Sequence, residues 1–313
     1  MTLVNRRLRH DLGSLALTTG LGTVAAVTPR RAHRRVLTAA VGLDRRLRRE
    51  RPVRRAEVRK SEEMMEAVLA HRRTFAALRI EEAFCQGRGI FRRGWPADIR
   101  VAGMDHIHEA HAHDRGLVLW QMTFLDLTPA FIVLAEAGYP VSHLSTIHHR
   151  LEYHHALSRR LIAPALVRGE VRTLKERVMI PPEGGLGYLK RLRSIVQDDH
   201  GTVSIRGDFT SGQRQIDAVH LGKLISIPTG APSLAHLTGA PLLTAAVVRR
   251  GLLEHEVLFD EPISAPRGTS RREFQSAAIE EFAARLEARA REFRDSRPII
   301  PFLPELDPEL RSG

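Results

Sequence analysis

Arg206 and Asp208 close a run, Thr202-Val-Ser-Ile-Arg-Gly-Asp, that reads as a buried strand breaking into a polar loop. A guanidinium and a carboxylate at the carboxyl end of a strand stand where open α/β sheets hold their ligands, so both are candidates for a binding cleft. A second concentration of chemistry lies upstream. Leu117-Val-Leu-Trp120 is a continuous apolar run, the mark of a strand covered on both faces, and the loop behind it carries one carboxylate, Asp126.

Histidine is the side chain that exchanges protons near neutral pH, and several of these residues are grouped. His106, His108, His111 and His113 precede the strand at 117–120, with 106/113 and 108/111 near neighbours around a helix. Their spacing would suit a metal, but no carboxylate or cysteine motif accompanies them, so they read as a polar surface helix and no metal is expected. His143, His148, His149, His154 and His155 form a second group, from which a base could reach the same cleft. His255 and Asp260 have a His-x4-Asp spacing, but they lie in a strand-like run where positions five apart point to opposite faces. That pair reads as an accident of spacing.

The elements that must position these groups alternate. Ile99–Val101 is a short strand, residues 104–114 a polar helix, and Leu117–Trp120 a buried strand. Thr128-Pro129 reads as an N-cap with proline at the first helical position, and the helix stops at Gly138. Val141–Leu144 is a strand, residues 150–168 a basic helix, 186–196 another helix and Val203–Ile205 a strand. A short apolar run and a Gly-Ala-Pro helix start at residue 230 lead into the strand at 242–248. A strand at 252–259 and a closing helix through Phe274, Ile279, Phe282, Leu286 and Phe293 complete the chain's regular part. This order predicts an α/β fold, a mixed and largely parallel sheet flanked by helices.

With 313 residues, 43% of them hydrophobic, the chain can bury a full core. The single cysteine, Cys85, excludes an intramolecular disulfide and fits a reducing compartment. Charge is unevenly placed. Residues 1–60 hold 16 Lys/Arg against 4 Asp/Glu, which accounts for the whole net charge of +12, while the rest of the chain balances. Such a segment is an electrostatic anchor for an anionic surface. Aromatic residues make up only 5%, and the body is neutral, so nucleic acid is not the expected partner.

Leu12 to Pro29 is an uncharged stretch of 18 residues, rich in threonine and glycine and poor in large aliphatics for a membrane span. It reads as a helix lying against the membrane or the domain. Arginines from Arg30 to Arg55, interleaved with Val36, Leu37, Val41, Leu43 and Leu47, give the pattern of a basic amphipathic helix at a membrane surface. The expected organisation is a basic, membrane-associating segment over 1–60, an α/β domain over 61–297 and a proline-rich tail over 298–313.

Three segments in this order resemble the bacterial lipid A (lauroyl/myristoyl) acyltransferase family of the lysophospholipid acyltransferase superfamily. They are Arg100-Val-Ala-Gly-Met-Asp through Arg115-Gly-Leu-Val-Leu-Trp120, then Val203-Ser-Ile-Arg-Gly-Asp208. The third is His220-Leu-Gly-Lys through Pro228-Thr-Gly-Ala-Pro-Ser-Leu-Ala and Thr238-Gly-Ala-Pro-Leu-Leu. The resemblance covers about residues 60–297 and implies an acyltransferase-like sheet. It also implies transfer of a fatty acyl group from acyl carrier protein or coenzyme A to a hydroxyl of a lipid or glycolipid, at the cytoplasmic face of the membrane and with no cofactor.

The family works through a His-x4-Asp/Glu motif directly after the strand at 117–120. The histidine takes the acceptor proton and the carboxylate fixes the imidazole. Here Thr123 stands at the histidine position and Thr128 at the carboxylate position. A threonine hydroxyl is no general base near neutral pH, and loss of such a base removes about 10²–10⁴-fold in rate. Asp126 is the nearest replacement. Arg150, Arg206 and Asp208 are the residues the resemblance and the strand ends suggest for substrate binding. The alternative reading is a catalytically inactive homologue that binds lipid or acyl chains or serves as a partner subunit.

Overall fold

Leu117–Met122, buried at every position, is β2, the middle strand of a seven-stranded sheet. The computed structural model describes residues 16–47, 77–89, 94–112, 115–146, 164, 171–181, 185–207, 214–221, 223–264 and 268–293. Residues 16–27 form α1, Arg30–Leu47 α2 and residues 77–89 α3. The first strand and its following helix are β1 (Asp98–Ala102) and α4 (Met104–His111). Next come α5 (Thr128–Glu136), β3 (Val141–Thr146), β4 (Glu176–Ile180), α6 (Gly187–Gln197) and β5 (Thr202–Arg206). The remainder is β6 (Gln215–His220), β7 (Lys223–Pro228), α7 (Gly230–Thr238), β8 (Leu242–Gly251), β9 (Glu254–Phe259) and α8 (Arg271–Glu292).

The sheet runs β1-β9-β8-β2-β5-β3-β4. Strands β8, β2, β5, β3 and β4 are mutually parallel, and only the β8–β9 hairpin is antiparallel. The mixed, largely parallel α/β architecture read from the sequence is therefore the one observed. Alternation along β2 divides the core. Val118, Trp120 and Met122 face α6, α7 and α8, while Leu117 and Leu119 face α4 and α5. Each such buried side chain contributes about 1.5–3 kcal/mol.

Two connections show why the sequence is as it is. Gly103 starts α4 at φ +75°, and a Cβ there would overlap the Phe259 carbonyl of β9, so neither the angle nor the space admits a side chain. Helix α8 starts on a capping box in which the Ser270 hydroxyl accepts from the Glu273 N–H and the Glu273 carboxylate accepts from the Ser270 N–H.

Some elements depart from the sequence reading. Strand β4 and the β6–β7 antiparallel ribbon were not expected as strands, because Glu176, Arg177, Gln215 and Asp217 interrupt their apolar pattern. Thr128 is not the N-cap of α5; the helix already includes it, and Asp126 accepts from its N–H instead. The basic helix expected at 150–168 lies outside the described residues apart from residue 164.

The N-terminal helices are built into the body. Leu17, Leu21 and Ala25 of α1 and Val36, Leu37, Ala40 and Val41 of α2 pack with Ile80, Phe84 and Cys85 of α3, Trp95 and Leu253. Val36, Leu37 and Val41 of the apolar face that reads as membrane-seeking in α2 are thus packed against the protein itself, while Leu43 is exposed. Among the described residues no helix is long and apolar enough to cross a membrane. Helix α1 meets α3 backbone to backbone: a Cβ on Gly22 would come within 2.6 Å of Gly87, and one on Gly87 would overlap the Thr18 carbonyl. Gly87→Val should therefore lower the unfolding free energy by about 1–3 kcal/mol in urea titration. Wild-type stability in this variant would mean that α1 is not seated against α3.

Candidate functional site

The site is the loop from Thr123 to Leu127, set at the carboxyl end of β2 between the ends of β8 and β5. Thr123 lies in the loop, partly buried, and Thr128 is buried at the first turn of α5. The Asp126 carboxylate closes the loop. Its Oδ1 accepts from the Thr128 N–H at 2.8 Å and the Thr128 hydroxyl at 2.5 Å, and its Oδ2 accepts from Gln86 Nε2 of α3 at 2.7 Å. Three donors tie this carboxylate to α3 and α5 and occupy most of its roughly four lone-pair sites.

Gln121, the next-to-last residue of β2, was missed in the sequence. It lies beside Arg206 of β5 and Ala245 of β8 in register and is completely buried. Neither Oε1 nor Nε2 has a hydrogen-bond partner. Leaving a buried polar group unsatisfied costs about 1–3 kcal/mol, so an apolar residue would serve the ligand-free fold better. The available signal was a carboxamide inside the otherwise apolar run Leu117–Met122.

Arg206 ends β5 as expected and is half-buried beside Gln121. The next residue, Gly207, donates its N–H to the Gln121 carbonyl at 2.9 Å. A Cβ there would overlap Trp120 Nε1 and the Phe282 ring, which stack with centroids 4.2 Å apart. Glycine at 207 thus lets the chain leave β5 directly over that aromatic pair. Asp208 and Arg150 lie outside the described residues, as do His148, His149, His154 and His155.

Three of the described histidines of the two groups, His108, His111 and His143, are bonded within the fold. His143 is buried on β3, 3.0 Å from the Ser204 hydroxyl of β5 and against Phe131, in register with a position two residues before Arg206. His111 bonds the Thr202 hydroxyl at 2.9 Å and stacks on Tyr139, which His108 also contacts. Burial, with His108 adding to it, holds the His111 imidazole below its ordinary value. Among the described residues no group of three or more His, Cys, Asp or Glu is arranged to hold a metal.

His255 and Asp260 do not meet. Asp260 binds the Thr244 hydroxyl at 2.5 Å and pairs with Arg289. His255 is buried in another network, where its Nδ1 accepts from Trp95 Nε1 at 3.0 Å and its Nε2 lies 3.1 Å from Glu81 Oε1. An indole N–H can only donate, which places the imidazole proton on Nε2, facing the carboxylate. Glu81 also accepts from the Leu253 N–H and from Arg249 Nε, each at 2.8 Å.

Burial alone would raise the Glu81 carboxyl, but its bond to His255 and the charge and bond of Arg249 hold it below its ordinary 4.5. The depressed value gives stability that is present above the unfolded-state pKa near 4.5 and is lost as pH falls through the lower folded value. Glu81→Gln should cost about 3–5 kcal/mol at neutral pH, because the buried ion pair with Arg249 is broken. The difference from wild type should shrink as melts are taken below about pH 4.5. A difference that stays constant down to that acid range would show that the Glu81 charge is not what holds the network.

Comparison with known proteins leaves the site to be argued from its own residues. No family model matches the chain, and no curated protein matches it. Among solved structures it is similar to the 1-acyl-sn-glycerophosphate acyltransferase PlsC of Thermotoga maritima. The identity is 16%, over 89% of this chain and 97% of that one, and the TM-score is 0.38.

Proposed function

We propose that this chain is an acyltransferase-like protein that binds an acyl thioester or acylated lipid at the carboxyl ends of β2 and β5, without a histidine–carboxylate relay. One observation carries the reading: Asp126, the only carboxylate of the loop, is engaged by three donors. The flanking positions that would hold the relay are Thr123 and Thr128. Support for the ligand class comes from the three sequence segments set out above. Support for the place comes from Gln121 and Arg206, a donor–acceptor amide beside a cation at adjacent strand ends. The basic residues of segment 1–60 suit docking on the anionic cytoplasmic face of a membrane, close to the lipid ligand.

Acyl transfer from acyl carrier protein or coenzyme A to a lipid hydroxyl is the competing reading. Incubating the purified chain with radiolabelled acyl thioester and mixed lipid acceptors separates the two. Retention of label on the protein with the thioester uncleaved is the expected result; acylated lipid above the protein-free background would overturn it.

Gln121→Met gives a second test. The near-isosteric apolar side chain should raise the melting temperature of the ligand-free protein, since a buried unpaired amide is removed. The same change should weaken acyl thioester binding by about 5- to 30-fold, the equivalent of roughly 1–2 kcal/mol. Unchanged binding would remove Gln121 from the site.

A further inference from the structure

The five parallel strands β8, β2, β5, β3 and β4 all end at the side of the sheet that carries the Asp126 loop. Two groups of exposed apolar side chains sit at that same end. On the β8–β9 side are α1 and α2, which pack on Leu253 in the β8–β9 turn and on Trp95. Arg34 of α2 bridges Asp98 and Glu254, the first residues of β1 and β9. There Val24, Val27 and Leu43 face solvent, with Arg31 and Arg35 exposed on α2.

On the other side, across strands spaced about 4.8 Å apart, is the start of α6, which follows β4. Helix α6 buries Leu192, Ile195 and Val196 in the core. Its outer face presents Leu186, 68% exposed, and Leu189, 44% exposed, with Lys190 and Arg193 exposed beside them. These four positions fall at i, i+3, i+4 and i+7, one stripe of the helix. Leucines outward with cations alongside are the composition of a surface that enters the headgroup layer of an anionic bilayer.

We propose that α6 is a second lipid contact, through Leu186, Leu189, Lys190 and Arg193, so that the carboxyl end of the parallel strands faces an anionic bilayer with the mouth of the site between the two contacts. The proposal rests on the lipid-binding reading above and goes beyond it by naming a membrane-facing surface outside the basic N-terminal segment. A bilayer pressed against this end would deliver an acyl chain to Gln121 and Arg206 without its crossing water.

The test is co-sedimentation of the full chain with phosphatidylcholine vesicles with and without about a third phosphatidylglycerol. Leu186→Ser with Leu189→Ser should lower partitioning onto the anionic vesicles by about tenfold, one leucine's worth of apolar contact or more. Lys190→Glu with Arg193→Glu should lower it too and flatten its salt dependence. The control is Leu237→Ser, an equally exposed leucine (59%) near the end of α7, at the opposite end of the sheet where β8 begins. It should leave partitioning unchanged.

Wild-type partitioning in the Leu186/Leu189 variant, or an equal loss in the Leu237 variant, would overturn the proposal. All of these side chains are exposed, so melting temperatures should stay at the wild-type value, and a fall in the α6 variants would count against a surface role. Binding of a water-soluble, short-chain acyl thioester is measured in parallel. Wild-type binding in the α6 variants is expected. Failure of the unmodified chain to bind that thioester would sink the site reading while leaving the vesicle result to judge α6.

Discussion

The buried Glu81 carboxylate is the contact on which the arrangement of the site depends. It gathers the Leu253 N–H in the β8–β9 turn, the His255 imidazole on β9 and the Arg249 guanidinium on β8 onto one residue of α3. Gln86 lies five residues further along the same helix, about 7.5 Å on, and there holds Asp126. Fixing α3 at one end therefore fixes the motif loop at the other. Against the same helix lie α1, through Gly22 and Gly87, and α2, through the cluster around Phe84. The N-terminal layer, the β8–β9 hairpin and the site loop are coupled through α3.

This coupling holds the loop that carries Thr123 and ends at Thr128. Asp126 braces it from within through Thr128, and Gln86 braces it from α3. What remains at the strand ends is polar and suited to binding: an amide with both atoms unpaired and a guanidinium in register beside it.

Much of the fold was legible in the sequence, for reasons that can be stated element by element. Strand β2 and the start of β8 are continuous apolar runs because both faces are covered, and α8 keeps a helical apolar stripe between a capping box and Phe293. Strand β4 and the ribbon were not legible, since each lies at an edge or outside the main sheet and carries charges at positions that face water. The Glu81–His255 contact joins residues 174 apart in sequence, a distance no local pattern reports. Arg206 was found because it ends a strand. Gln121 was not, because an amide in a buried run reads as tolerated polarity until its missing partners are seen.

The central claim, binding without relay chemistry, is tested most directly at the Gln121 amide itself. The side-chain N–H₂ resonances of Gln121, assigned by their loss in a Gln121→Met sample, would be followed by NMR during titration with an acyl thioester, with free thiol measured in the same tube. The account predicts a saturable shift of these resonances while the thioester stays intact. Resonances that do not move at saturating ligand, or thiol released catalytically above the protein-free rate, would contradict it.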